Sequence, residues 1–393
     1  MILVALSIGL IRIYQYTLSP DRWFLRYRLH GRVCAHEPHC SAYAVLSLRR
    51  YGFLQWWSLA LRRIYHCRPA HQITYDPPVL RVVFFGSAAI GIPVLAQLLH
   101  DPRYEVVGVV TVPEQPIGRG MHLQKNIIAR WLEEHAYQIP IFTPRTLRID
   151  HKTYSDDAVY VTEQLNHLQP DIFVVIAYGK LLPASVLAIP RLWPINVHGS
   201  LLPAYRGATP LQSVFLDAQD ASGLTIMLMD EGLDTGPILA QLTIPLPLTW
   251  TVADLIEACK SQWPTLLVDT VWQWKQGTIS PKIQSPTSTA VCHKLTKEDG
   301  LLDPLVLPLS AVYARWRAFF LWPKLHFFVG DKRITIEHIA LDVAQYELTQ
   351  HLPLFSATYT LHPAVISLRV TPAGKKTMER KAFLNGLSIA SFK

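Results

Sequence analysis

Three polar side chains in the middle of the chain are of types, and at spacings, that can do chemistry. Asn196 and His198 stand two residues apart in Pro194-Ile195-Asn196-Val197-His198-Gly199, a run that reads as a strand reaching its end. Their side chains therefore face the same side of that strand. Asp234 follows in Met229-Asp230-Glu231-Gly232-Leu233-Asp234-Thr235-Gly236, where glycines bracket a carboxylate at the close of another strand. An amide donates hydrogen bonds, an imidazole carries a proton near neutral pH, and a carboxylate beside it orients that proton. Such a trio can polarise a carbonyl and move a proton. Taken singly, each residue has an ordinary reading: Asn or His at a strand end caps a turn, and Asp before Thr-Gly shapes one. The combination points to a site, because open α/β sheets place ligands at the carboxyl ends of their strands.

Such a site needs a sheet to carry it. After Pro77-Pro78, the apolar run 80–85 predicts a strand, and Gly86 opens a turn into a helix over 90–99. Further strands are predicted over 105–110, 171–177 and 194–197, with helical periodicity between them, as at 126–135. Strands alternating with helices argue for a doubly wound, Rossmann-like α/β domain with a parallel sheet. The first turn, Gly86-Ser-Ala-Ala-Ile-Gly91, lacks the second glycine of GxGxxG. That glycine lets the backbone approach a pyrophosphate, so a NAD enzyme is disfavoured.

The stretch Asn196-Val-His198-Gly199-Ser200-Leu201-Leu202-Pro203-Ala-Tyr205-Arg206-Gly207, with Asp230-x-Gly232-x-Asp234-Thr-Gly236 downstream, resembles the active site of formyltransferases that use 10-formyltetrahydrofolate. The resemblance implies that Asn196, His198 and Asp234 are catalytic. As an amine attacks the formyl carbon, Asn196 and a protonated His198 would donate to the negative oxygen that develops. Losing one such donor typically costs ~10²–10³ in rate. Asp234 would hold His198 charged and relay the proton of the amine. Val174-Val-Ile176-Ala177-Tyr178-Gly179-Lys-Leu-Leu-Pro183 resembles the family segment whose backbone lines the folate pocket. The expected folate-binding residues are therefore Ile176, Ala177, Tyr178, Gly179, Ser200, Leu201, Leu202 and Pro203. The donor, 10-formyltetrahydrofolate, is a co-substrate, and no metal is expected. One departure stands out: the usual Gly-Thr-Pro of the first loop is Gly86-Ser87-Ala88 here.

Several families share this core, so the acceptor amine has to be read elsewhere. Glycinamide ribonucleotide formyltransferases usually stop after the catalytic domain, and some sugar-nucleotide formyltransferases continue into a barrel-like domain. Gln115-Pro-Ile-Gly118-Arg119-Gly120 resembles the inserted loop that wedges against the acceptor end in methionyl-tRNA formyltransferases. Lys294-Leu295, Leu302-Asp303, Arg317-Ala-Phe319, Trp322-Pro323 and Pro372-Ala-Gly374-Lys375-Lys376 resemble the C-terminal domain of the same family. Residues 286–393 carry a net charge of +5, as a surface touching tRNA backbone would. Short β-type runs over 324–329, 333–338 and 365–370 predict a small, OB-like β-barrel. Arg119, Lys375 and Lys376 are the expected tRNA contacts, although adjacent lysines are also what a solvated loop carries.

The first 78 residues are of another kind: ten Arg, no Lys and three acidic residues give them +7. Periodicity predicts a helix over 41–50, ended by Gly52, and a second over 53–65. Phe53, Trp57, Ala60, Leu61 and Ile64 share one face of the second, with Gln55, Arg62 and Arg63 opposite. An apolar stripe with Trp at its edge and Arg opposite suits a lipid headgroup boundary, and equally the core of a small helical domain. The apolar run 1–11 is too short to span a bilayer, which takes ~20 residues. It also lacks the basic start and cleavage site of a signal peptide. The spellings Ile11-Arg-Ile-Tyr-Gln15, Ser19-Pro20, Cys34-x-x-x-Pro38-x-Cys40-Ser41-x-Tyr43-Ala44, Arg49-Arg50-x-Gly52, Cys67-x-Pro69 and Tyr75-Asp76-Pro77 resemble the membrane protein insertion efficiency factor family over nearly its whole length. That implies a peripheral protein of the inner membrane, with no catalytic machinery. Cys34, Cys40 and Cys67 with His36, His39 and His66 are zinc-ligand types, but their spacing is not a CxxC pair, so buried or redox-idle thiols are the favoured reading. Cys259 and Cys292 read as ordinary buried residues.

The chain thus reads as a multidomain fusion. A small, amphipathic helical module (1–78) precedes the α/β formyltransferase domain (79–285) and a tRNA-binding barrel domain (286–393). Its expected partners are initiator methionyl-tRNA, the inner membrane surface through residues 1–78, and membrane insertion machinery. Its expected place is the cytoplasm, peripheral to the cytoplasmic face of that membrane. The alternatives are a sugar-nucleotide amine as acceptor, or a membrane-associated accessory protein with an inactive formyltransferase domain. Half of the residues are hydrophobic and 17% are charged, a composition that excludes a disordered chain.

Overall fold

The computed structural model describes residues 2–17, 19, 36–66, 74–117, 122–285, 291–356 and 360–385. Arg119, Cys34 and Cys67 lie outside them. The chain forms two compact units, one of residues 1–195 and 267–280, the other of 196–266 and 281–393.

The first unit opens with helix α1 (Ile2–Thr17), which continues past Arg12, where the apolar run stops. Strand β1 (His36–Glu37) pairs in parallel with β2 (Thr74–Tyr75), and between them lies helix α2 (Cys40–His66). Gly52, at φ 75°, divides α2 into the two expected helices, in a conformation that glycine enters without the Cβ clash other residues meet. One expectation for this helix fails. Arg63, placed on the polar face, is 5% exposed. Its guanidinium donates to the Asp76 carboxylate at 2.7 Å and to the Pro38 carbonyl at 2.6 Å, and it lies 4.1 Å from the centroid of the Tyr43 ring. Periodicity assigned Arg63 a face, but the returning segment around Asp76 covers that face. Among the described residues, no helix is long and apolar enough to cross a membrane.

The α/β part of this unit follows: β3 (Leu80–Gly86), α3 (Ile92–His100), β4 (Tyr104–Val110), the antiparallel pair β5 (Gln115–Ile117) and β6 (His122–Gln124), α4 (Ile127–Glu134), β7 (Ile141–Phe142), α5 (Ser155–His167), β8 (Ile172–Ile176) and α6 (Ala184–Leu187). Its strands run parallel in the order β8-β3-β4-β7. Val82, Val83, Phe84, Phe85 and every residue of β8 are buried. Unbroken apolar runs of this kind are what a parallel sheet covered on both faces requires.

The N-terminal module is bolted to this sheet. Tyr75 Oη donates to Asp171 Oδ1 at 2.6 Å, and Arg81 N donates to Asp171 Oδ2 at 2.8 Å. Asp76 also accepts from Lys275 Nζ at 2.5 Å. Arg50 donates to the carbonyls of Pro102 and Tyr104 at 2.8 and 2.5 Å, and Tyr51 Oη donates to that of Pro78 at 2.8 Å. Asp171 is fully buried, and burial raises its carboxyl above the ordinary range.

Strand β9 (Trp193–His198) carries the chain into the second unit, where α7 (Pro210–Leu216), β10 (Ala221–Leu228), β11 (Ile238–Pro245) and the start of α8 (Val252–Lys275) follow. β10 and β11 are antiparallel, and β10 also neighbours β9. Helix α9 (Leu309–Ala318) packs on α7. Its Arg317, 4% exposed, donates to the carbonyls of Trp250 and Pro247 at 2.6 and 2.8 Å. The remaining strands β12 (His326–Val329), β13 (Lys332–Leu341), β14 (Val365–Pro372) and β15 (Met378–Glu379) form an antiparallel sheet in that order. Helix α10 (Val343–Thr349) lies between β13 and β14 in sequence, and α11 (Arg380–Asn385) ends the described chain. Cys259 and Cys292 are buried, as read from the sequence.

Candidate active site

The second unit brings Asn196, His198 and Asp234 together. Asn196 and His198 lie at the end of β9, on one face, as residues two apart must. Asp234 sits in the turn after β10 with φ 55°, a left-handed conformation that few non-glycine residues adopt. Its Oδ1 accepts from Asn196 Nδ2 at 3.2 Å, and its Oδ2 accepts from the Gly207 amide at 2.8 Å. The same Oδ2 lies 3.6 Å from His198 Nδ1, while His198 Nε2 is 2.9 Å from the Tyr205 carbonyl. Both ring nitrogens thus face oxygen atoms, Nε2 at hydrogen-bond distance and Nδ1 somewhat beyond it. The His198 side chain is 5% and that of Asp234 13% exposed, so water screens their interaction weakly.

The loop after β9 is braced from below. Ser200 Oγ donates to the Ala204 carbonyl at 2.6 Å, and the Ser200 carbonyl accepts from Thr225 Oγ1 at 2.7 Å. Gln241 Nε2 donates to the Leu202 carbonyl at 2.8 Å, and Leu202 is buried with Met227 and Ile238. Leu201 is half-buried and Pro203 follows through a cis peptide bond. In the first unit, Ile176 ends β8, and Ala177, Tyr178 and Gly179 form the bend beyond it, with φ 45° at Ala177 and 76° at Gly179. The Ser87 hydroxyl, from the altered first loop, lies 2.7 Å from the Ala177 carbonyl and 3.1 Å from that of Tyr178. Asn126 Nδ2 donates to the Ser87 carbonyl at 2.8 Å. Lys375 and Lys376 are exposed in the turn between β14 and β15.

Sequence reasoning missed the backbone partners of this site, the Tyr205 carbonyl and Gly207 amide, because main-chain groups have no residue-type signal. It also passed over Gln284, a buried amide beside the expected domain boundary at 285/286.

Comparison with known proteins agrees with the two-part reading. The family model described as "Putative membrane protein insertion efficiency factor" matches residues 3–79, and that described as "Formyl transferase" matches residues 80–271. The methionyl-tRNA formyltransferase of Synechococcus elongatus is 34% identical over 332 residues, which cover 79% of this chain and 98% of that protein. The chain belongs to the methionyl-tRNA formyltransferase family. Its relative from Roseiflexus sp. is 39% identical over 246 residues, 62% of this chain and 71% of that one. Among solved structures, a 4-N formyltransferase from Francisella tularensis is similar at a TM-score of 0.48 and 15% identity, over 64% of this chain and 93% of that one. Membership of the methionyl-tRNA formyltransferase family accounts for residues from about 80 onward and leaves the N-terminal module as an addition to it.

Proposed function

We propose that the protein transfers the formyl group of 10-formyltetrahydrofolate to the α-amino group of initiator methionyl-tRNA, with Asn196, His198 and Asp234 as its catalytic residues. The observation that carries this reading is the Asp234 carboxylate set against both Asn196 Nδ2 and His198 Nδ1. An α-amino group has a pKa near ~8, so a useful share of its neutral form is present at pH 7 without strong activation. Its nitrogen forms a bond to the formyl carbon, and the carbonyl oxygen takes up negative charge. Asn196 Nδ2 has a second hydrogen to give that oxygen, and His198 Nδ1–H, 3.6 Å from Asp234, is the ring edge not held by a short contact. Asp234 accepts the proton of the amine and returns it to the folate nitrogen as the carbon–nitrogen bond to that nitrogen breaks. Ile176, Ala177, Tyr178 and Gly179 with Ser200, Leu201, Leu202 and Pro203 would hold the folate.

In this reading the domains are residues 1–78, 79–285 and 286–393. The last is a small OB-like barrel whose +5 charge suits the tRNA backbone, with Lys375, Lys376 and Arg119 in contact with it. The first rests on the cytoplasmic face of the inner membrane and assists insertion of proteins there. Leu3, Leu6, Leu10 and Ile13 of α1, each about 60% exposed or more, and exposed Leu54, Trp57 and Leu61 of α2 support that placement, since apolar rows beside arginine suit a headgroup boundary.

The test is transfer of labelled formyl from 10-formyltetrahydrofolate to methionyl-tRNA, with His198→Ala as control. Transfer by the wild type and its loss in the variant are expected. Transfer to a sugar-nucleotide amine but not to methionyl-tRNA would overturn the acceptor. For the membrane role, the full chain is expected to float with anionic liposomes and Leu6→Asp/Leu10→Asp to remain below; equal flotation would sink that part.

A further inference from the structure

Gln284 lies in the segment that leads from the catalytic domain toward the C-terminal one, yet it is 7% exposed. Its amide is fully used. Oε1 accepts from Arg206 Nε at 3.1 Å and Nη2 at 2.7 Å, and Nε2 donates to the carbonyls of Asp234 at 2.9 Å and Gly236 at 2.7 Å. An amide offers two hydrogens and two lone pairs, so no hydrogen-bonding capacity remains. The segment is anchored on both sides of Gln284. Upstream, Lys282 and Ile238 exchange backbone hydrogen bonds of 2.8 and 2.7 Å. Downstream, Cys292 N donates to the Arg206 carbonyl at 2.7 Å, Ala208 N donates to the Cys292 carbonyl at 2.9 Å, and Thr209 Oγ1 donates to the His293 carbonyl at 2.7 Å.

These contacts fall on the two loops that frame the catalytic imidazole. One carries the Tyr205 carbonyl that faces His198 Nε2, and the other carries the Asp234 carboxylate that faces His198 Nδ1. Both loops have a residue in the left-handed region, Tyr205 at φ 59° and Asp234 at φ 55°. A strained backbone persists only where its surroundings over-determine it; the Gly207 amide joins the two loops directly through Asp234 Oδ2, and the Gln284 side chain bonds to both at once.

We infer that Gln284 is a positioning residue for formyl transfer: it ties the Tyr205–Arg206 loop to the Asp234 turn and so sets the spacing of the acceptors on either side of His198. The inference rests on the catalytic reading of Asn196, His198 and Asp234. It also makes a stretch of chain outside β9, β10 and β11 part of the catalytic apparatus.

The test is steady-state formylation of methionyl-tRNA by the full chain and by Gln284→Met and Gln284→Glu. Methionine keeps the volume and removes all four hydrogen bonds. Glutamate keeps the acceptor for Arg206 but turns lone pairs toward the carbonyls of Asp234 and Gly236. Both variants are expected to fall ~10²-fold in kcat, as misplacement of reacting groups by about an ångström does. KM for either substrate should change by only about twofold, the pattern of an interaction realised in the transition state. A structural defect alone would instead reduce the folded fraction, read from the same samples by thermal melting, and leave kcat per folded molecule unchanged. Wild-type kcat in Gln284→Glu, or in a folded Gln284→Met, overturns the inference while the catalytic reading stands. A wild type that forms no formylmethionyl-tRNA overturns both.

Discussion

At the scale of single residues, the site depends on one carboxylate serving several donors. Asp234 accepts from Asn196 and Gly207 and faces His198, so in the proposed mechanism a change at Asn196 removes a donor to the reacting oxygen and leaves the other partners of Asp234 in place. Asn196→Ala is expected to lower kcat by ~10²–10³ with a thermal midpoint near that of the wild type; a variant that retains kcat would remove Asn196 from the mechanism. Asp171 makes a different prediction. Burial raises its carboxyl in the fold, so the folded chain holds that proton to a higher pH than the unfolded chain does. Between the ordinary carboxylate range and the raised value, the fold binds more protons, and stability falls as pH rises through that window. Asp171→Asn lacks this dependence. Urea denaturation across pH 4 to 7 should show the wild type losing stability relative to the variant as pH rises, and parallel curves would refute the assignment. Asn196 and His198 could be singled out as neighbours on one strand face because alternation is local. Arg63 and Gln284 could not, because what buries each is a segment from elsewhere in the chain.

At the scale of elements, the same contrast separates two glycines. Gly52 divides α2 at φ 75°, and a Cβ there would meet nothing within 4 Å. Gly207, at φ 113°, would place a Cβ 2.5 Å from the Cys292 carbonyl. With ψ −179° Gly52 sits in an extended, positive-φ region that is essentially restricted to glycine, so Gly52→Ala should cost only that backbone strain, about 1–3 kcal/mol, and leave formyl transfer unchanged. Gly207→Ala adds a collision with the Cys292 segment and moves the amide that donates to Asp234, so both thermal midpoint and kcat should fall. Equal melting of the two variants would contradict this. The break at Gly52 was legible because glycine ended a helical pattern, and β3 and β8 because unbroken apolar runs leave few other readings. The pairing of Gly207 with Cys292 was not, since a long-range bridge leaves no mark on either local pattern. In the C-terminal sheet, Lys375 and Lys376 project from the turn after β14. Replacing both by alanine should raise KM for tRNA and flatten its salt dependence by about one unit of logarithmic slope for each phosphate no longer neutralised; an unchanged slope would mean that the lysines are solvated only.

At the scale of the whole molecule, the family boundary near residue 79 lies inside one compact unit. Asp76 is the meeting point, held by Arg63 from the module and Lys275 from the end of α8. Arg63→Met should lower stability by roughly 2–3 kcal/mol, the scale of hydrogen bonds to charged groups, measured by calorimetry; a decrease below the error of the method would make the ion pair incidental. Between Asp76 and the buried Leu80 stand Pro77, Pro78 and Val79, and both prolines are buried. Two domains on a flexible tether give up chain entropy when they dock. A join this short, with φ fixed at two of its three residues, has almost none to give up. A glycine-serine spacer inserted after Pro78 would introduce that penalty, and it would grow with the logarithm of spacer length, by ~0.6 kcal/mol per doubling. The module would then stay docked through quite long spacers, loosening gradually, with no threshold length at which it lets go.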